Sequence, residues 1–295
     1  MGVIFLSPID NKLRMASQFE DDKKYLHALQ IYEPLVNDEQ YTKIVSLRLS
    51  NIYEKLNHAK KAIEVLQNYC DAKPEDYSVK KYFAHFLLRH KKYESCLNLL
   101  STIPTDESTE VYFLNGYANY HLGEFEISKI NFNSFIENEK KSELLFEAHH
   151  YLAKIFLNIG ELDNAEKSAA NSEKLFSQNP DLKLTQAIIY YYKEMYLHAY
   201  EKLRRALSLK EGEPNYIKWA GKILIKIEDY EKAENYLRSC IAVSEPDSEL
   251  LSLLGLACLN TNKTNDAKTY FVKALEIDPD NELAMKGKLK CSSDL

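Results

Sequence analysis

The feature that most constrains this chain is a residue pattern that returns about every 34 residues. The clearest unit runs from Ser248, taken as position 1, to Asp280. It carries Leu254 and Gly255 at positions 7 and 8, and Ala267 at position 20. A period of this length is typical of stacked helical repeats, in which each repeat packs against its neighbours. We find eight units in one register, and they begin near Ile9, Lys43, Tyr77, Thr109, Phe146, Pro180, Pro214 and Ser248.

The residue types within a unit suit a pair of packed helices. Small residues at positions 8 and 20 let the two helices approach closely, and larger ones at positions 4, 7, 11 and 24 fill the space between units. Gly123 and Gly160 at position 15 suit the turn between the helices, and Pro74 and Pro279 end second helices. The sequence therefore predicts sixteen helices in the repeats, a capping helix over 282–290, and no β-strand longer than three residues.

Some positions depart from the pattern. Position 4 is Lys12, Ser46, Lys80 or Lys183 in four units, which predicts thinner contacts there. Extra residues between the fourth and fifth units predict a loosened turn, and the stretch 137–145 is the nearest candidate for a hinge. The first unit has no capping segment before it, so we expect a partner or other residues to cover its open face.

Composition narrows the function classes. The 295 residues are 45% hydrophobic, with only eight Gly and eight Pro, which argues against a loop-rich β protein. The net charge is −6 and like charges do not cluster, so we expect no nucleic-acid partner and no direct membrane insertion. The five widely spaced cysteines indicate neither a zinc site nor a disulfide framework. The short apolar run Val3–Leu6 is too small for a signal peptide, and the expected location is cytoplasmic.

The full pattern resembles the tetratricopeptide repeat, from residue 9 to about 281. Ser248–Asp280 matches it with Leu–Gly at positions 7–8, Ala at 20 and 27, an aromatic residue at 24 and Pro at 32. The resemblance implies an all-α, right-handed superhelical solenoid of about eight helix–turn–helix repeats plus a C-terminal capping helix, with residues 1–295 forming a single array. It also implies a protein–protein interaction scaffold that binds a peptide or helical segment of a partner in its concave groove during assembly of a multiprotein complex.

Catalytic and metal-binding patterns are missing from the sequence. It has no phosphate loop, dinucleotide-binding glycine pattern or nucleophile elbow, so we expect no enzyme activity, no catalytic residues and no cofactor. The adjacent His149 and His150 project about 100° apart on a helix and cannot chelate one metal ion together. The cysteines occupy positions that suit small buried side chains, so we interpret them as core residues.

A candidate binding surface follows from the resemblance, because first helices line the groove in this family. Their groove-facing positions are rich in basic and aromatic residues, which predicts an acidic, partly apolar partner segment. Acidic residues at position 2 are attributed to the helix dipole and not to ligand contact. The predicted surface residues are Lys81, Tyr82, His85, Arg89, Phe113, Tyr117, Tyr120, His150, Tyr151, Lys154, Tyr191, Lys218, Trp219, Lys222 and Lys226.

Other functions stay open at this stage. Some members of the family hold a C-terminal carboxylate with Lys and Asn four residues apart, but here Lys81 is followed by His85, and Lys218 by Lys222. That clamp is not assembled. The chain could instead be a regulatory or targeting region of a larger protein, or an envelope or organelle assembly factor. The sequence does not fix the oligomeric state.

Overall fold

A computed structural model describes residues 8–293, so the apolar run Val3–Leu6 lies outside the described residues. The described part contains seventeen α-helices, one 3₁₀ helix and no β-strand, which confirms the predicted all-α fold. The eight first helices are α1 (Pro8–Asp21), α3 (Thr42–Lys55), α5 (Tyr77–Arg89), α7 (Glu110–His121), α9 (Leu144–Asn158), α11 (Pro180–Tyr192), α13 (Pro214–Lys226) and α15 (Ser248–Asn260).

The second helices and the last helix complete the set. Each second helix packs against the first helix of its own unit. The second helix of the first unit is short and runs into the 3₁₀ helix Glu33–Leu35, which carries Pro34 in its first turn. The bounds are α2 (Tyr25–Tyr32), α4 (Ala59–Ala72), α6 (Tyr93–Leu100), α8 (Phe125–Asn138), α10 (Leu162–Leu175), α12 (Tyr196–Leu209), α14 (Tyr230–Val243), α16 (Thr264–Ile277) and α17 (Glu282–Ser293).

Local sequence explains where several helices begin and end. The side chains of Asp76, Asn179 and Asp247 accept hydrogen bonds from backbone N–H groups in the first turns of α5, α11 and α15. Proline stands at the first position of α11 and α13, where its missing N–H is not needed. As predicted, Pro74 and Pro279 lie just beyond the ends of α4 and α16.

The helix pairs approach closely through small residues. The residues at position 20 in all eight units are fully buried, including Cys96 and Ser128. A Cβ atom added to Gly221 at position 8 would lie 2.4 Å from the side chain of Leu237 on the second helix of the same unit. One added to Gly255 would lie 2.7 Å from Phe271. The predicted role of the small positions is therefore confirmed, since the facing helix leaves no room for a larger side chain.

The unusual residues at position 4 do not all pack in the same way. Cavities of about 580 and 560 Å³ open beside Ser46 and Lys80, in agreement with thinner packing there. Lys80 is nonetheless buried, and its ammonium donates to the hydroxyl of Thr102 at 2.8 Å. Thin packing is not the outcome at Lys183, which is buried and paired with Glu173. A satisfied ion pair takes the place of the apolar contact.

The predicted capping helix is α17, and it packs on α15 and α16. Its inner face consists of Ala284, Gly287 and Cys291, all buried. A Cβ atom on Gly287 would lie 2.2 Å from the Phe271 ring. The cap is therefore not polar all round, because one face of small residues continues the core of the last repeat.

The chain divides into two compact units, residues 1–139 and 140–295, called the first and second compact units below. The first holds helices α1 to α8 and the second holds α9 to α17. The division falls within the stretch 137–145, where α8 has ended and α9 has not begun. Organisation as a single array stays a prediction. Within residues 8–293, no helix combines the length and apolar character needed to span a membrane.

Candidate partner-binding surface

The predicted surface residues all lie on first helices, and in the first compact unit several of them are already paired. The Lys81 ammonium lies 3.2 Å from one carboxylate oxygen of Glu110, and His85 Nε2 lies 2.8 Å from the other. The hydrogen bond from His85, aided by Lys81, holds the pKa of the Glu110 carboxyl below its usual value against the opposing effect of burial. This contact links α5 to the next first helix, α7.

Other residues of α5 face backwards to α3. The Tyr82 hydroxyl donates to Asn51 Oδ1 at 2.7 Å. The Arg89 guanidinium makes an ion pair of 3.2 Å with Glu54. Both side chains therefore tie neighbouring repeats together, and a partner would have to share or replace these contacts.

The aromatic residues of α7 differ in exposure. Phe113 is only 4% exposed and makes edge contacts with Phe132 and Phe135. Burial assigns Phe113 to the core, which corrects the exposed position expected from the sequence. Tyr117 and Tyr120 are half-buried and both contact the His121 ring, so they keep part of their surface in solvent.

The second compact unit repeats the charge arrangement of α5 and α7. The ammonium groups of Lys218 and Lys222 on α13 lie 3.0 and 2.9 Å from the two carboxylate oxygens of Glu249 on α15. Lys218 also pairs with Asp247 at 2.9 Å. Burial alone would raise the pKa of Glu249, but the hydrogen bonds from the two lysines lower it. These lysines are therefore neutralised within the chain.

Aromatic rings surround Lys222. The rings of Tyr191 on α11 and Trp219 on α13 meet edge to face, with centroids 5.5 Å apart. The Lys222 ammonium lies 4.8 Å from the Trp219 ring centroid and 5.8 Å from that of Tyr191. Lys226, one turn further along α13, is exposed and lies 5.9 Å from the Tyr196 ring. Aromatic rings and cations thus form one continuous patch.

An open cavity of about 590 Å³ adjoins this patch, and it lies entirely within the second compact unit. Tyr191, Lys222 and Lys226 line one part of it. Apolar side chains in the lining come from Ile225, Leu253, Leu256 and Leu283, and polar ones come from Glu228, Tyr230, Glu249, Ser252 and Asn281. A concave surface that combines apolar lining with a few convergent polar groups is the usual form of a binding site.

The basic residues of α9 are arranged differently. His150 is 6% exposed, and its Nε2 atom shares a hydrogen bond of 2.9 Å with the Thr185 hydroxyl. Burial lowers the pKa of His150 to about 3, so the ring is neutral. His150 is thus a core residue, which corrects its predicted surface role. Tyr151 is half-buried, and the Lys154 ammonium lies 5.1 Å from its ring centroid.

Sequence reasoning missed the acidic half of the surface. Glu110 and Glu249 at position 2 were attributed to the helix dipole alone, whereas each accepts contacts from positions 5 and 9 of the preceding first helix. The signal was present in the sequence: Lys or His at positions 5 and 9, followed by Glu at position 2 of the next unit. The positive charge of the predicted surface residues on α5 and α13 is therefore largely neutralised by these two carboxylates.

Comparison with protein-family models supports the assignment of the helix pairs as repeats. Residues 248–281 match one model described as tetratricopeptide repeat, and residues 45–76 and 219–247 match another with the same description. The matched segments cover first and second helices in both compact units. They support the repeat assignment with evidence independent of the geometry.

Among curated proteins, the chain is 24% identical over 291 residues to anaphase-promoting complex subunit 3 of Schizosaccharomyces pombe, covering 86% of this chain and 43% of that protein. Among solved structures, it is similar to a chain of the APC/C hetero-tetramer Cut9–Hcn1, with a TM-score of 0.66, 15% identity, and coverage of 97% of this chain and 57% of that one. A tetratricopeptide repeat protein from Parabacteroides merdae gives a TM-score of 0.59, 16% identity, and coverage of 88% and 98%. The chain thus spans about half the length of the first two relatives, and the structural likenesses concern the fold.

Proposed function

We propose that this chain acts as a non-catalytic scaffold that holds a segment of a partner protein on its first helices during assembly of a multiprotein complex. Its helix pairs and the three segments that match the tetratricopeptide repeat support this role. Proteins built from this repeat are generally non-catalytic. The likeness to a subunit of the anaphase-promoting complex supports a role within an assembly. The proposed location is the cytoplasm, supported by five buried cysteines that form no disulfide bond with one another.

The observation that carries this proposal is the aromatic patch of the second compact unit and the cavity beside it. Tyr191, Trp219 and Lys222 form the patch, and Tyr191 and Lys222 also line the cavity together with apolar side chains of α13, α15 and α17. Aromatic residues concentrate binding energy when a partner buries them, since each covers a large apolar area at low cost in side-chain entropy. A segment with apolar side chains fits this lining.

The proposed partner segment is partly apolar and also acidic. The exposed Lys226 supports the acidic component, because the structure gives it no ion pair with any described residue. Lys218 and Lys222 support it less, since Glu249 already neutralises them. Apolar contact therefore supplies most of the expected affinity, and charge sets orientation and association rate.

The test is titration of a partner, identified by pull-down and mass spectrometry, against the wild type and Trp219→Ala. Loss of a buried aromatic anchor is expected to weaken binding by about 2 kcal/mol, which is about thirtyfold in Kd. Trp219 is the single tryptophan of the chain, so its fluorescence reports occupancy of the patch directly.

Leu197→Ala is the matched control. Leu197 is 71% exposed on the second helix α12 and does not line the cavity, so its removal should leave Kd unchanged. Equal affinities for the wild type, Trp219→Ala and Leu197→Ala, with all three folded, would move the binding site away from the first helices and contradict the proposal.

A further inference from the structure

Three first helices carry basic residues at positions 5 and 9, and each stands before a helix with an acidic residue at position 2. In α5 and α7 the set is Lys81, His85 and Glu110. In α13 and α15 it is Lys218, Lys222 and Glu249. Both sets are closed, because the carboxylate of each contacts both basic side chains within 3.2 Å.

The third set, in α9 and α11, has the same residue types but is open. Here the acidic residue is Asp181, whose carboxylate accepts a hydrogen bond from the Tyr216 hydroxyl of α13. His150 at position 5 turns to Thr185. Lys154 at position 9 makes no hydrogen bond or ion pair with any residue from 8 to 293, and its ammonium lies over the Tyr151 ring, 5.1 Å from the ring centroid. The cation equivalent to Lys222 therefore lacks the carboxylate that Lys222 has.

Burial makes this arrangement costly for the unbound protein. Burial lowers the pKa of Lys154, although the negative charges of Asp181 and Glu147 work in the opposite direction. A half-buried ammonium group without a hydrogen-bonding anion has lost hydration, and a ring contact together with two nearby but unbonded carboxylates replaces it incompletely. An arriving anion would supply the missing hydrogen bonds.

We infer that Lys154 is the point at which the second compact unit receives a carboxylate from its partner, carried by an Asp or Glu side chain within an apolar segment. This inference rests on the proposed function and names one polar contact on the first helices. It places the contact at Lys154 and not at Lys218 or Lys222, which Glu249 already occupies.

The surroundings favour a carboxylate over a more highly charged anion. One ammonium group is available, and Asp181 and Glu147 contribute negative charge close to it. A doubly charged phosphate would meet more repulsion there than a singly charged carboxylate. The Tyr151 ring beside the ammonium supplies an apolar surface for the neighbouring side chain of the segment.

The test is selection of a random-peptide display library on immobilised, folded full-length chain. Four forms are compared: the wild type, Lys154→Met, Lys154→Arg, and Lys167→Met as the control, since Lys167 is an exposed lysine on the second helix α10. Peptides selected on the wild type are expected to be enriched in Asp or Glu beside apolar residues. Lys154→Met should abolish the acidic enrichment, whereas Lys154→Arg and Lys167→Met should keep it.

A peptide selected on the wild type then serves as the probe for affinity. Loss of one charge-assisted hydrogen bond is expected to raise its Kd at least about tenfold in Lys154→Met. The rise should be less than about threefold in Lys167→Met, since an exposed charge away from the first helices contributes little to binding. Thermal unfolding of Lys154→Met should occur no earlier than that of the wild type, because a half-buried charge has been removed.

The outcomes distinguish failure of the Lys154 inference from failure of the proposed scaffold function. Selected peptides without acidic enrichment, or enrichment that survives Lys154→Met, would overturn the inference and leave the scaffold function standing. Failure to select any peptide on the wild type would contradict the proposed function, and the inference would fall with it.

Discussion

At the scale of single residues, the turn inside every helix pair depends on one residue with a left-handed backbone. Position 15 has a positive φ in all eight units, between 56° and 82°. Glycine occupies it only at Gly123 and Gly160, and the other six residues are Lys23, Asn57, Lys91, Glu194, Glu228 and Asn262. The two glycines were predicted from the sequence. The Lys and Glu positions could not be, because these residue types do not mark left-handed backbone.

This geometry makes a stability prediction for Glu194. A residue other than Gly costs about 1–2 kcal/mol in the left-handed region of backbone conformation. Glycine avoids this cost, but it loses about 0.5–1 kcal/mol more chain entropy on folding. Glu194→Gly should therefore stabilise the protein by about 0.5–1 kcal/mol, measured by urea unfolding. Gly160→Ala, at the same repeat position, should destabilise it by a similar amount. The opposite sign for either substitution would show that side-chain contacts at the turn dominate the backbone effect.

The second residue-scale feature is the carboxylate of Glu173, around which three side chains converge. It pairs with the buried Lys183 and with Lys202 at 3.2 Å, and it accepts a hydrogen bond of 2.7 Å from Gln186. Burial raises its pKa, but the hydrogen bonds from Lys183, Gln186 and Lys202 outweigh burial and lower it to about 2. Sequence reasoning had no access to this network, which joins α10, α11 and α12 from three separate places in the repeat.

A pH-dependent contribution to stability follows. Because the folded pKa lies below the ordinary value of 4.5, the contribution is fully present above about pH 4.5 and is lost as the pH falls towards 2. Glu173→Gln should destabilise the protein by about 3 kcal/mol at neutral pH, since it leaves Lys183 buried and unpaired. The difference between wild type and variant, from urea midpoints, should shrink below pH 4.5.

Glu201→Gln is the control for this experiment. Glu201 is exposed and pairs only with Arg205 one turn away, so its loss should change stability by less than about 0.5 kcal/mol at every pH. A Glu173→Gln effect that stays constant from pH 7 to pH 3 would mean that lost packing, and not the charge network, causes it.

At the scale of elements, the helix pair was the most predictable level of the structure. The small residues at positions 8 and 20 fix which faces meet, and the structure buries them as expected. The groove-facing positions were less predictable. Periodicity placed the candidate residues on first helices, but Phe113 and His150 are buried, and Lys218 and Lys222 are paired with the next first helix. Contacts between repeats decide these details, and a pattern read within one repeat does not contain them.

The element-scale prediction concerns the last repeat. Ala267→Glu places a charge where Ala267 is fully buried between α15 and α16, so α15, α16 and α17 should lose protection from hydrogen exchange. Because repeats couple mainly to their neighbours, the loss should weaken towards α13. Lys268→Glu, at the exposed adjacent position, should leave exchange unchanged. Unchanged exchange across 214–290 in Ala267→Glu would contradict this account of the packing.

At the scale of the whole molecule, the number and order of helices followed from the sequence because one pattern recurs eight times. The division into two compact units was less evident, although a loosened turn was expected near residue 139. Each compact unit holds four helix pairs and its own part of the candidate surface. The charge sets of α5 and α7, and of α13 and α15, are closed, whereas that of α9 and α11 is open.

The central claim is that a partner segment binds on the first helices, chiefly in the second compact unit. Hydrogen–deuterium exchange of the full chain, with and without an identified partner, tests it most directly. The account predicts that the partner slows exchange in α9, α11, α13 and α15, with the Trp219 region among the most protected. Slower exchange confined to α10, α12, α14 and α16 would place the partner on the second helices and contradict the claim.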